Sequence, residues 1–216
     1  DPLPEIIEQV KPWVGQLLGM FLEKPVQPRT VNGETKAVGR GELEGGKLVE
    51  AEQLQREIYS LWGVSTDPSE LQEHPEELFD RLVELVPQSL TEQRERCLDL
   101  SDRIVSAMVE ESCPHNRPPE DWDWKGIREG FEQHFAVAPD RVSGRAEGPY
   151  RAGEKRQEEE REIDEYGDAE MLAQELYRRA ERLVLAKEKE LGIELLTRVF
   201  RHLYLEEIDK ALKALG

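Results

Sequence analysis

Residues 168–215 constrain the fold more than any other stretch. Leu172, Leu176, Ala180, Leu183, Val184, Leu191, Leu195, Val199, Leu203, Ile208, Ala211 and Leu215 recur at helical spacing. An unbroken helix over this stretch would reach roughly 70 Å at about 1.5 Å per residue. Gly192 is where a bend or break is expected, because glycine weakens a helix interior. Dense Glu, Lys and Arg pairs support an exposed long helix.

The same periodicity recurs upstream. Residues 3–23 place Ile6, Ile7, Val10, Trp13, Val14, Leu17, Leu18 and Phe21 on a helix, and Pro12 inside it predicts a kink or two short helices. "LVEAEQLQREIYSLWGV" carries Leu54, Ile58, Leu61 and Trp62 on one stripe. "DPSELQEHPEELFDRLVELV" opens with Asp67 as N-cap and Pro68 as first helical residue, with Leu78, Leu82, Leu85 and Val86 apolar. A further helix, capped by Ser89 or Thr91, turns Cys97, Leu100, Ile104, Ala107 and Met108 inward and ends at Cys113-Pro114. "HNRPPED" is then a proline-rich linker into the helix "DWDWKGIREGFEQHF", where Asp121 and Asp123 are capping residues.

Two stretches lack this pattern. Residues 25–48 hold Pro25, Pro28 and five glycines; Asn32-Gly33 is a two-residue hairpin signal, so 29–38 reads as a small β-hairpin or a mobile loop. Residues 138–166 read as a mobile connection with helix across the glutamates, or as a solvated charge run. The chain is therefore expected to be mainly α and elongated. Its expected parts are a helical region over 1–100, a second over 101–166, and a long helix over 167–216. "LQREIYSLWGV" (54–64) aligns without gaps to "IREGFEQHFAV" (127–137), either as a duplicated helical unit or as two amphipathic helices that converged.

Composition narrows the partners. The net charge is -18 and 35% of residues are charged. Nucleic acid is a poor match, because phosphate binding releases counterions through Lys and Arg. A basic protein partner is the electrostatic fit. No apolar run approaches the ~20 residues of a membrane helix, the acidic start is unlike a signal peptide, and two cysteines suit a reducing cytosol. Asp1 in place of a methionine suggests a piece of a longer protein.

Candidate chemistry is thin. "GELEGGKL" (41–48) fits G-x-x-x-x-G-K, but Leu48 stands where a P-loop needs Ser or Thr, and no buried strand precedes it. Cys113 and His115 would need two more ligands to hold zinc, and His74, His134 and His202 lack ligand spacing. Cys113 with His134 could form a nucleophile–base pair, though no oxyanion-hole motif accompanies them.

The stretch 102–137 carries Trp122-Asp123-Trp124-Lys125-Gly126-Ile127 and then Phe135-Ala136-Val137. It resembles the helical wing of SecA, the motor ATPase of bacterial protein export, where W-D-x-x-G-[LI] leads to a helix ending F-G-[VI]. Residues 172–211, with Glu188, Glu190, Gly192, Ile208 and Asp209, resemble the helical scaffold that follows in that family. Leu212 departs from the family's tryptophan, and residues 1–100 find no counterpart by this reading. The resemblance implies a non-catalytic piece of a protein-export motor. It binds no cofactor itself, while ATP and magnesium act elsewhere in the parent. The implied partners are other SecA domains, the SecYEG channel and unfolded preprotein. The implied location is the cytoplasm, peripheral to the inner membrane and not spanning it. Trp122, Trp124, Ile127, Phe131 and Phe135 are then the docking face of the wing. The alternative is a free-standing acidic helical adaptor for a basic partner.

Overall fold

The structure, a computed structural model, describes residues 3–142 and 162–215. It is mainly α. In chain order it contains α1 (Leu3–Met20), β1 (Arg29–Val31), β2 (Glu34–Lys36), α2 (Arg40–Leu43), α3 (Ala51–Trp62), α4 (Pro75–Ser112), α5 (Trp124–Phe135), α6 (Ala169–Leu191) and α7 (Ile193–Leu215). Short 3-10 turns lie at Pro68–Leu71, Pro119–Asp121, Pro139–Arg141 and Ile163–Glu165. No described helix is long and apolar enough to cross a membrane.

Two compact units emerge, Asp1–Glu95 with Ile193–Gly216, and Arg96–Gly192. The first is built on Val10, Val14 and Leu18 of α1, Leu54, Ile58 and Trp62 of α3, and Leu78, Leu82, Val86 and Leu90 of α4. Pro12 does not divide α1. An interior proline removes one backbone bond and clashes with the preceding turn, at a cost of about 3 kcal/mol. Full burial of Val10, Val14 and Leu18, at about 1.5–3 kcal/mol each, exceeds that. Pro87 likewise sits inside α4, between the buried Val86 and Leu90. The helix expected to begin at Ser89 or Thr91 therefore has no start there. Ser89 Oγ instead donates to Trp62 O at 2.9 Å, and Thr91 Oγ1 to Pro87 O at 2.9 Å. Asp67 does cap, accepting from Ser69 N at 3.0 Å, but it opens a 3-10 turn rather than α4.

The glycine-rich stretch 25–48 is tied down. β1 and β2 form an antiparallel hairpin with Thr30 opposite Thr35, and Asn32 and Gly33 both take positive φ (53° and 83°), as a two-residue primed turn requires. Beyond the hairpin the chain crosses α1 at Gly15, where a Cβ would lie 1.7 Å from the Val38 carbonyl oxygen. Only a bare Cα permits that approach. Leu43 and Leu48 are then fully buried.

The second unit is built on Val105 and Val109 of α4, Ile127 and Phe131 of α5, and Leu172, Leu176 and Ala180 of α6, with Cys113, Val142 and Ile163. The inward stripe of α4 here is Leu98, Ser101, Val105 and Val109. It lies one residue over from the expected one: Ile104 and Met108 flank it, and Leu100 and Ala107 face solvent. The C-terminal run divides at Gly192, the expected place, with φ 81° and ψ 151°, a combination open almost only to glycine. It forms two helices of 23 residues, and the longest helix is α4 with 38. Most of the stretch 138–166 lies outside the described residues.

Candidate functional site

The tryptophan-rich linker between α4 and α5 is a set of hydrogen bonds that sequence alone specifies well. α4 stops where Pro114 ends the ladder, and Ser112 O accepts from Asp123 N at 3.0 Å, closing the linker. The Asp123 carboxylate accepts from Gly126 N at 2.8 Å, an N-cap that satisfies one orphan donor of α5. A Cβ on Gly126 would lie 2.5 Å from Asp123 Oδ2. The aspartate and glycine of W-D-x-x-G are thus two halves of one cap. Both indoles brace the same linker: Trp124 Nε1 donates to Pro119 O at 2.9 Å, and Trp122 Nε1 to Arg117 O at 3.2 Å.

The five residues expected to form a docking face divide by depth. Ile127 and Phe131 are fully buried in the core of this unit. Phe135 is half-buried, with its ring 4.6 Å from that of Phe131. Trp122 and Trp124 are half-buried neighbours, 5.4 Å between ring centroids. On α5 and its linker, the aromatic surface left open belongs to Trp122, Trp124 and Phe135. Gly130 admits Met108 of α4, whose sulfur would stand 3.0 Å from a Cβ there.

Of the residues weighed for chemistry, Cys113 is placed as a packing group. Cys113 is buried, and desolvation pushes its thiol up to about 11, the opposite of an activated nucleophile. His134 and His115 are exposed. Burial, with Glu188 nearby, also raises the Cys97 thiol. Among the described residues, no three His, Cys, Asp or Glu side chains gather as a metal cage. In "GELEGGKL", Lys47 pairs with Glu73 at 2.6 Å, Gly46 N donates to Leu43 O, and Leu48 N donates to Gln72 O. The loop's polar groups serve its own fold.

Two polar clusters escaped the sequence reading. In one, buried Arg179 on α6 donates to Glu175 Oε1 and to Pro139 O, both at 2.9 Å. Asp140 accepts from Arg128 at 2.8 Å and from Ile163 N at 3.4 Å, and Arg128 also reaches Asp164 at 3.3 Å. The Asp140 bond, more than any other contact, raises the pKa of Arg128. In the other, Arg201 of α7 meets Gln93 of α4 and Ser60 of α3. Both were detectable as polar residues breaking an apolar stripe: Arg179 follows Leu172 and Leu176, and Gln93 follows Val86 and Leu90.

Residues 84–214 match the family described as the SecA wing and scaffold domain. The chain belongs to that family. Protein translocase subunit SecA of Sorangium cellulosum (strain So ce56) is 48% identical over 212 residues. That similarity takes in 97% of this chain, so it reaches the N-terminal region that lacked a counterpart, and the chain spans 19% of that relative's length. No solved structure matches. These comparisons lend no support to a free-standing adaptor.

Proposed function

We propose that this chain is the mechanical, non-catalytic wing-and-scaffold part of a SecA-type motor that drives unfolded preproteins through SecYEG. The observation that carries the reading is the 48% identity to a translocase subunit along nearly the whole chain. ATP and magnesium act in other parts of the parent, which sits in the cytoplasm against the inner membrane. Stiff packed helices suit this task, because packed interfaces switch between discrete arrangements rather than deform. Trp122, Trp124 and Phe135 present the contact surface to the other domains of the motor, and Ile127 and Phe131 hold the helix that carries Phe135.

The test uses the full-length parent with SecYEG proteoliposomes, ATP and an unfolded preprotein. The Trp122→Ala/Trp124→Ala variant is expected to lose transport about tenfold, as aromatic contact residues often cost 2 kcal/mol or more when truncated. ATP hydrolysis without preprotein should persist. Transport at the wild-type rate after removal of residues 96–192 would refute the reading.

A further inference from the structure

Helix α7 is held to its unit differently from α1 and α3. Val199, Leu203 and Leu205 are 44%, 54% and 49% exposed, so none of these three side chains is buried in the unit. Its inward residues are Ile193, Thr197 and Arg201. Ile193 joins the apolar core. The Thr197 hydroxyl bonds only backward, to Ile193 O and Glu194 O of its own helix. Farther along, the hold on the unit is polar.

Arg201 donates from one terminal nitrogen to Gln93 Oε1 and from the other to Ser60 O at 2.5 Å. Gln93 Nε2 in turn donates to Trp62 O and to Ser89 Oγ, both at 3.0 Å. Ser60 and Trp62 lie in the last turn of α3, whose carbonyls lack helical partners and whose dipole favours a cation. Arg201 thus caps α3 directly and through Gln93. Gly63 makes the room: a Cβ there would lie 2.8 Å from Gln93 Nε2 and 3.0 Å from the Arg201 nitrogen.

We infer that Arg201 and Gln93 form a releasable latch, through which the 198–206 stretch of α7 undocks from α3 and α4 while the apolar core of the unit stays folded. Elements with few buried apolar contacts open well below the free energy of global unfolding. Here Arg201 gives up hydration for two acceptors, and desolvation is the leading cause of its lowered pKa. Among the described side chains beyond Thr197 no apolar one is buried, so loss of those bonds releases this stretch of α7.

Hydrogen exchange on the whole 216-residue chain tests the latch. Amides from Val199 to Glu206 should exchange about tenfold or more faster than those of Val10, Val14 and Leu18. Arg201→Met keeps the stem and removes the donors; Gln93→Ala removes the bridge and keeps the arginine. Each should speed α7 about tenfold further and leave the α1 amides unchanged. A common rate for α7 and α1, in the wild type or in either variant, would overturn the inference, and so would variants that leave α7 unaltered.

Discussion

Ala136 and Gly63 end two helices of equal length in the same way. α3 and α5 each have 12 residues, and each C-terminal cap is left-handed: φ is 69° at Gly63 and 60° at Ala136. In both, the cap N–H donates to the carbonyl four residues back at 2.8 Å. An L-residue in this region costs roughly 1–2 kcal/mol, and glycine returns about 0.5–1 kcal/mol of that as backbone entropy. Ala136→Gly is therefore expected to stabilise the chain by about 0.5–1 kcal/mol, read from the midpoint of urea unfolding. The reverse change at Gly63 should destabilise by more than the strain alone, because Gln93 and Arg201 occupy the space of its Cβ. The SecA pattern F-G-[VI] has glycine at the position of Ala136. The Asp123 cap was legible from residue type alone. Its reliance on Gly126 was not, since that depends on where one carboxylate oxygen sits.

At the scale of elements, the sequence shows where helices lie better than where they stop. The Asn32-Gly33 turn, the Gly192 break and the end of α4 at Pro114 follow from backbone preferences carried by single residues. Continuity through Pro12 and Pro87 was hidden, because the opposing term is burial against other elements, outside any local window. The inner face of α4 came out one residue over for the same reason: adjacent apolar stripes compete, and α5 and α6 select one. The two aligned stretches bury equivalent positions, Leu54 with Ile127 and Ile58 with Phe131. Each is followed by a proline-led 3-10 turn, Pro68–Leu71 and Pro139–Arg141. A charge within an apolar stripe makes its own prediction. Arg179 has 3% of its side chain exposed and Glu175 13%, so removing the carboxylate takes a close charge partner from a buried cation. Glu175→Ala should cost about 3 kcal/mol, less whatever Asp140 recovers from 3.7 Å away. Arg179→Met, which removes the charge itself, should cost less. Parallel denaturant titrations of the two variants check the order, and a milder loss in Glu175→Ala would contradict it.

At the scale of the whole molecule, the described residues form two apolar clusters, one around Leu18, Leu54 and Leu82 and one around Ile127, Phe131 and Leu176. A cluster that closes on itself bears most of the cost of its own cavities, because lost contacts and incomplete collapse act on immediate neighbours. Phe131→Ala should remove about 3–5 kcal/mol and Leu18→Ala about 2–5 kcal/mol, each from a different cluster. Residue-resolved exchange in low denaturant separates them. Phe131→Ala should speed the amides of Val105, Val109 and Leu176 and spare those of Val10, Val14 and Ile58, and Leu18→Ala should do the reverse. Helix α4 contributes to both clusters, with Leu82 in one and Val109 in the other. The test therefore also measures how far a continuous helix transmits damage. Equal acceleration of both sets by either variant would mean that α4 couples them into one cooperative block in place of two cores acting separately.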